Sequence, residues 1–151
     1  MLDIQDYLKI TDRKKDIIVT AGGKNIAPQM LENVFASHPM IEQVAVLGDG
    51  KKFIVALIVP DFETLKAWAA AEGIAASANA ELVSDSRVVA KYEEVVNELN
   101  QRFGRVEQVK KFRLMPKEFT QEDGDLTPTL KLKRKIVMSK NKAIIDSLYA
   151  E

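Results

Sequence analysis

The sequence predicts an α+β fold, in which a small, mainly antiparallel three-stranded sheet packs with helices and follows a short β-hairpin. Two observations predict it. Apolar residues occur at strand spacing in some stretches and at helical spacing in others, with turn residues between them. The resulting order is hairpin, helix, strand, strand, helix, helix, strand, long loop, helix, which favours α+β over a strictly alternating α/β arrangement. With 151 residues, 46% of them hydrophobic, the chain can bury one core of its own.

The first 36 residues predict the hairpin and the first helix. Two short strands, at 7–11 and 17–20, flank a run of five charged residues at 12–16. The loop that follows contains Gly22 and Gly23, and adjacent glycines permit positive φ and a close approach of another group to the backbone. Pro28 suits the first turn of a helix, which should end before Pro39.

The middle of the chain predicts the core. Residues 41–47 and 53–59 are apolar, rich in β-branched side chains and separated by the turn Gly48-Asp49-Gly50, so they predict a strand pair. The remaining elements follow in order: a helix from 60–61 to near Gly73, a helix over 85–103, and a strand over 111–115.

The last third predicts an exposed loop and one more helix. Residues 116–129 contain two prolines and an acidic turn, so they should be exposed and mobile. An amphipathic helix should run over 133–148. We therefore divide the single domain 1–151 into a hairpin at 7–26, a core at 27–115, a loop at 116–132 and a final helix at 133–148.

Composition excludes several classes of protein. Lys plus Arg and Asp plus Glu both total 22, so no net charge favours a nucleic-acid partner. The stretch 104–142 holds 11 bases and 5 acids, which suits an anionic ligand or partner surface, and equally a solvated face. Without cysteines there is no disulfide framework or thiolate metal site. No apolar run is long enough for a membrane span and no secretory leader is present as written, so cytoplasm is the default location.

The sequence shows no self-sufficient active site. It has no Ser/His/Asp set, no metal-ligand cluster and no phosphate-binding loop of the Walker kind. The one histidine, His38, precedes Pro39 at a helix end, where a surface or capping role is expected. We therefore expect no metal site.

Two segments stand out instead. Charges at 12–16 followed by two glycines suggest a pivot at which charged residues exchange partners, although a solvated turn followed by a helix is the alternative. In the second segment Lys131 alternates with Leu130 and Leu132. A lysine on a mobile loop can deliver a point charge to a phosphate. The alternative is a basic flank on the final helix, a placement that the helix dipole disfavours.

Together these segments resemble motifs of the adenylate-forming enzyme superfamily. Residues 7–16, YLKITDRKKD, and 22–28, GGKNIAP, resemble its hinge motif. Residues 126–134, LTPTLKLKR, resemble the C-terminal lysine motif of its long-chain fatty acyl-CoA synthetase branch, and FRL at 112–114 and PKEF at 116–119 agree. The spacing from Arg13 to Ile26 also resembles that branch. The resemblance extends over essentially the whole chain.

The resemblance implies that the chain is the mobile C-terminal domain of a ligase whose large N-terminal adenylation domain is absent from this sequence. In such enzymes a fatty acid and ATP, with Mg²⁺, form an acyl-adenylate, and CoA then displaces AMP. Lys131 matches the lysine of adenylation, which makes 116–132 a catalytic-lysine loop. Lys15 and Asp16 match the hinge, and Arg13 matches an arginine near the nucleotide ribose.

The glycine loop matches the segment that lines the CoA path. Gly22 and Gly23 would border the pantetheine arm, and Lys24 would meet the CoA phosphates. Many relatives place Gly before the catalytic lysine, whereas this chain has Leu130. The resemblance implies that the isolated domain binds no cofactor and is inactive. Fatty-acid chain length and peripheral membrane association of the parent enzyme are left open.

Two other functions are compatible with the residues. One is a stand-alone module of this fold that binds an anion or a protein through its basic third. The other is the lid of a different adenylate-forming enzyme, such as a peptide-synthetase adenylation domain or a luciferase-like enzyme.

Overall fold

The computed structural model describes residues 17–75, 78–104, 107–129 and 131–150. Within these residues the strands are β1 (Ile18–Val19), β2 (Asn25–Ile26), β3 (Ile41–Leu47), β4 (Ile54–Pro60) and β5 (Val109–Leu114). The helices are α1 (Pro28–Ala36), α2 (Phe62–Ala71), α3 (Asn79–Ser84), α4 (Ser86–Asn100), α5 (Arg134–Lys140) and α6 (Lys142–Tyr149). None of the helices in the described ranges combines the length and the apolar character that a bilayer crossing requires.

The main sheet has three strands in the order β3-β4-β5. β3 and β4 are antiparallel, with Leu47 opposite Val55. β5 runs parallel to β4, with Ile58 opposite Leu114. The parallel pairing follows from the connection, because α2, α3 and α4 carry the chain back across the sheet between these two strands. The predicted α+β class is confirmed, and the sheet proves to be mixed.

Both faces of the sheet are covered, so it forms the middle layer of the domain. Every residue of β4 is buried, as expected for a central strand between two cores. Side chains that alternate along β3 and β4 point to opposite faces. One core contains residues of α1, α2 and α4, among them Leu31, Phe35, Leu65 and Tyr92. The other contains residues of α5 and α6, among them Val137, Ile145 and Leu148.

The observed hairpin uses the glycine loop as its turn. β1 pairs antiparallel with β2, which the sequence left inside a loop, and Ile18 lies opposite Ile26. Both isoleucines are 1% exposed and belong to the first core. The predicted strand over 7–11 lies outside the described residues. The strand pair seen around the glycine loop, anchored by two isoleucines, was not predicted, and the predicted pair of strands around 12–16 stays a prediction.

The final helix is divided, and the prediction of one helix over 133–148 is wrong. α5 ends at Lys140 and α6 begins at Lys142, with Asn141 between them at φ −112° and ψ 25°. The Asn141 side-chain Nδ2 donates to the carbonyl of Val137 at 2.9 Å. Asn competes in this way with regular helix geometry, which explains the break.

The turn between β3 and β4 supports the glycine loop. The Ala21 N–H donates to the Lys51 carbonyl and the Gly50 N–H donates to the Val19 carbonyl, each at 2.8 Å. The Val19 N–H donates to Asp49 Oδ1 at 3.0 Å. Three hydrogen bonds therefore dock the hairpin on this turn.

Gly48 in that turn cannot accept a side chain, which gives a first prediction. A Cβ at Gly48, where φ is +154°, would lie 2.9 Å from Ile54 Cγ2 and 3.0 Å from Ile54 Cα. We expect Gly48→Ala to lower the free energy of unfolding by about 2–4 kcal/mol, since backbone strain adds to overpacking. Urea denaturation of the chain measures this.

Gly50→Ala is the matched control. Gly50 has φ +73°, but a Cβ there would meet no atom within 4 Å. Gly50→Ala should therefore lower the free energy of unfolding by about 1 kcal/mol, from conformational strain alone. Equal losses of unfolding free energy in the two variants would show that the close approach of Ile54 does not make Gly48 harder to replace than Gly50.

Candidate functional site

The loop that carries Lys131 is closed by hydrogen bonds between its own residues. Leu126 and Leu132 form an isolated antiparallel bridge. The Thr127 N–H donates to the Lys131 carbonyl at 2.8 Å, and the Lys131 N–H donates to Thr127 Oγ1 at 3.0 Å. Lys131 itself is exposed. The result is a lysine whose backbone is held while its long side chain projects from the surface.

Asp125 closes the base of this loop. Asp125 is buried, with its side chain 9% exposed. Asp125 Oδ2 accepts the Thr120 N–H at 3.3 Å, and Asp125 Oδ1 accepts Lys140 Nζ of α5 at 3.0 Å. The Asp125 carbonyl accepts the Lys133 N–H at 2.7 Å. One carboxylate thus ties the loop to the helix that follows it.

A side-chain amide ties the same loop to the sheet. Gln43 of β3 accepts the Phe119 N–H at 2.7 Å and donates Nε2 to the Phe119 carbonyl at 3.0 Å. Phe119 is 6% exposed and packs in the core formed by α5 and α6. The prediction that all of 116–129 is exposed is therefore wrong at Phe119 and Asp125, because both anchor the loop.

A surface ion pair lies beside this anchor. Lys117 Nζ is 2.7 Å from Asp123 Oδ2. This hydrogen bond lowers the pKa of Asp123, and the same carboxylate raises the pKa of Lys117. Pairs so exposed to water stabilise little. The more buried contacts of Asp125 and Gln43 should therefore contribute more to the order of the loop than this surface pair does.

A more buried ion pair joins α1 to the start of α5. Arg134 Nη1 is 2.5 Å from Glu32 Oε2, and both side chains are 13% exposed. Both residues also bond to Val46 on the edge strand β3: Glu32 Oε2 accepts its N–H at 2.8 Å, and Arg134 Nη1 donates to its carbonyl at 2.7 Å. Sequence reasoning missed this pair, because Arg134 stands in a basic run that is typical of a solvated face.

Lys131 lies at the wall of an open groove beside this pair. The groove has a volume of about 370 Å³, and its walls are α1, β3 and the lysine loop. Glu32, Asn33, Gln43, Phe119 and Lys131 are among its lining residues. The lysine therefore stands next to a recess with polar and apolar walls.

The glycine loop is a separate feature with its own supports. Gly22, Gly23 and Lys24 lie together in the exposed turn between β1 and β2. The Gly23 N–H donates to the Thr20 carbonyl at 2.9 Å, and the Thr20 N–H donates to the Lys24 carbonyl at 3.0 Å. Gly23 has φ +81°, which favours glycine. A Cβ at either glycine would meet no atom within 4 Å.

The two positions therefore differ in whether the structure requires glycine there. Gly23 is required by its backbone conformation, whereas nothing within the described chain excludes a side chain at Gly22. A side chain at Gly22 would therefore extend into solvent. The lysine loop rests on β3 and α5, and the glycine loop rests on the β3–β4 turn.

The remaining predicted site residues, Arg13, Lys15 and Asp16, lie outside the described residues. In the described ranges, no three His, Asp or Glu side chains are grouped as metal ligands. No residue among them is therefore assigned to Mg²⁺.

Comparison with known sequences identifies the family. Residues 15–151 match the model of the AMP-binding enzyme C-terminal domain. The chain is 42% identical over 149 residues to the long-chain-fatty-acid–CoA ligase FadD15 of Mycobacterium tuberculosis, a match that covers 98% of this chain and 25% of the ligase. It is 38% identical over 146 residues to human long-chain-fatty-acid–CoA ligase 1, covering 95% of this chain and 21% of that protein.

Comparison with solved structures shows the same fold. The adenylation domain of a Mycobacterium chelonae carboxylate reductase superposes with a TM-score of 0.75 at 22% identity, over 92% of this chain and 20% of that one. The Mycobacterium tuberculosis fatty acyl CoA synthetase superposes with a TM-score of 0.54 at 20% identity, over 86% and 20%. The chain spans about a quarter of the length of the curated relatives it matches. Because the family model covers nearly its whole length, the chain belongs to the family of AMP-binding enzyme C-terminal domains.

Proposed function

We propose that this chain is the mobile C-terminal domain of a long-chain fatty-acid–CoA ligase. The observation that carries the proposal is the 42% identity to a long-chain-fatty-acid–CoA ligase over 98% of this chain. The anchored loop that presents Lys131 supports it. The reaction belongs to the whole polypeptide, in which a large N-terminal adenylation domain binds most of the substrates.

In the first step, Lys131 stabilises charge. A fatty-acid carboxylate attacks the α-phosphorus of ATP and pyrophosphate leaves. Negative charge is then shared by the carboxylate and the phosphoryl oxygens, and a cation held nearby in a dry site lowers the barrier. Lys131 suits the role because its backbone is fixed through Thr127 and its exposed side chain can enter a neighbouring site. Arg13 is proposed to lie near the ribose.

In the second step, the domain turns and presents its other loop. The CoA thiol attacks the acyl carbonyl and loses its proton to solvent; the thioester forms and AMP leaves with the electron pair of the broken bond. Gly22 and Gly23 are proposed to line the pantetheine path, and Lys24 to face the CoA phosphates. Their exposure and the open space at Gly22 support this assignment. Lys15 and Asp16 are proposed as the pivot of the rotation.

Deleting the domain tests the proposal. In the full-length enzyme, pyrophosphate release that depends on a long-chain fatty acid and on ATP should be lost when the domain is removed, together with acyl-CoA formation. Retention of both activities would refute a ligase lid. Activity with amino or aromatic acids, and none with long-chain fatty acids, would point to another adenylate-forming enzyme.

Binding by the isolated chain tests the stand-alone alternative. Isothermal titration with ATP, CoA and a short RNA should show no tight binding, because the proposed site is completed by the large domain. Tight binding of any of the three would favour an independent module.

The proposed pivot gives a second prediction. Lys15→Pro in the full-length enzyme should slow thioester formation about tenfold and spare adenylate formation, because a proline ring fixes φ and restricts the rotation. Rapid-quench measurement of each half-reaction separates the two rates. Lys14→Ala, which changes a neighbouring charge and leaves φ unrestricted, is the control. An unchanged thioester rate in Lys15→Pro would place the pivot elsewhere.

A further inference from the structure

We propose that Glu32 and Arg134 act as positioning residues that hold the Lys131 loop in place, an inference that rests on the proposed role of Lys131. The pair is called the clasp below. Neither side chain needs to touch a substrate. Its effect is to fix where the loop that bears Lys131 ends relative to the sheet.

The clasp lies close to Lys131 along the chain. Arg134 is the third residue after it and the first residue of α5. Two guanidinium nitrogens face the two carboxylate oxygens of Glu32, Nη1 to Oε2 at 2.5 Å and Nη2 to Oε1 at 3.3 Å. A two-point contact of this kind fixes direction as well as distance. The C-terminal end of the loop is therefore oriented as well as tethered.

The clasp is bonded to a buried residue of the sheet. Val46 is fully buried on β3, and the clasp satisfies both its N–H and its carbonyl. Because both charged groups are mostly buried, removal of one leaves the charge of the other poorly solvated and without the opposite charge of this ion pair. Loss of the ion pair should therefore displace the loop, and not merely increase its exposure to water.

The clasp lies between the two segments assigned to the two steps, and only one of them depends on it. Glu32 lies on α1, which begins at Pro28, two residues beyond the end of β2 and hence just after the glycine loop. The glycine loop has independent hydrogen bonds to the β3–β4 turn. Loss of the clasp should therefore disturb Lys131 and leave the glycine loop in place. The expected signature is a selective defect in adenylation.

The first test measures loop motion in the chain itself, without reference to activity. Backbone order parameters from NMR should be near 0.85 at Thr127, Lys131 and Leu132 in the parent chain, and should fall below about 0.6 in Arg134→Met and in Glu32→Gln. Order at Gly23 should be unchanged. Val88→Ala, in the core and away from the loop, provides a variant of lowered stability in which the loop stays ordered.

The second test separates the half-reactions in the full-length enzyme. Both clasp variants should lower kcat for adenylate formation about tenfold, with thioester formation from supplied acyl-adenylate unchanged, because misplacing a charged group by a fraction of an ångström is costly. Arg134→Lys, which retains the charge and one donor direction, should recover part of the rate. Val88→Ala should change neither step.

The outcomes distinguish the clasp from the proposed function. Unchanged loop order in both variants, or the same loss of order in Val88→Ala, overturns the clasp. If Lys131→Ala abolishes adenylation while both clasp variants retain it, the clasp is wrong and the role of Lys131 stands. If Lys131→Ala has no effect, the proposed function fails, and the order parameters still decide whether the clasp holds the loop. Should Arg134→Met not fold, Glu32→Gln, which keeps the side-chain volume, decides the outcome.

Discussion

Lys131→Ala in the full-length enzyme is expected to lower the rate of acyl-adenylate formation by about 10²–10³, the effect typical of removing one group that stabilises transition-state charge. Thioester formation from supplied acyl-adenylate should keep its rate, because another face of the domain is proposed to serve that step. Single-turnover assays of pyrophosphate release and of acyl-CoA formation measure the two rates separately.

The structure makes this substitution a clean test. Lys131 is exposed, and the two hydrogen bonds that close its loop use its backbone N–H and carbonyl, which alanine retains. The free energy of unfolding should therefore change by less than about 0.5 kcal/mol. A rate loss in the first step then reports the ammonium group and not a disordered loop.

Lys133→Ala is the matched control for charge. Lys133 is also exposed, lies two residues away in the same basic run, and uses only its backbone N–H to bond Asp125. We expect its adenylation rate to remain within about twofold of the parent, as for an ordinary surface substitution. Equal losses at both lysines would mean that the basic surface acts as a whole. Equal loss of both half-reactions in Lys131→Ala would refute the assigned role.

Elements with a strong local signal could be predicted from the sequence. The strand over 41–47 has the bounds seen in the structure, because an apolar β-branched run stands between Pro39 and Gly48. α1 ends at Ala36, ahead of Pro39, as the restriction on residues before proline implies. The two glycines also indicated an exposed loop, although only Gly23 has positive φ.

Features that depend on distant partners could not be predicted. Nothing local in β5 distinguishes parallel from antiparallel pairing, and the Asn100 side chain at the end of α4 bonds the N–H and carbonyl of Val109 at the start of β5. The same holds for the supports of the Lys131 loop. Glu32 and Arg134 are 102 residues apart, and each occupies a position that helical periodicity assigns to solvent. The sequence motif indicated Lys131, whereas the contacts around its loop became known only from the structure.

The glycine loop gives the second large effect. Gly22→Leu in the full-length enzyme is expected to slow thioester formation about 10²-fold and to leave adenylate formation unchanged, since a displacement of roughly 1 Å at a reacting centre has an effect of this size. The added side chain would occupy the proposed pantetheine path. A Cβ at Gly22 meets no atom of the domain within 4 Å, so the chain itself should tolerate the substitution.

Gly104→Leu is the control, because it adds the same side chain at an exposed glycine outside the proposed CoA path. Gly104 is exposed, and a Cβ there would make only an ordinary contact, 3.7 Å from Glu107 Oε1. Both variants should unfold at the same urea concentration as the parent, and Gly104→Leu should retain both half-reactions. If Gly22→Leu keeps the parent thioester rate and KM for CoA, the glycine loop does not line the path. If both half-reactions slow together, the loop acts on the domain as a whole, and the division of labour between its two loops is wrong.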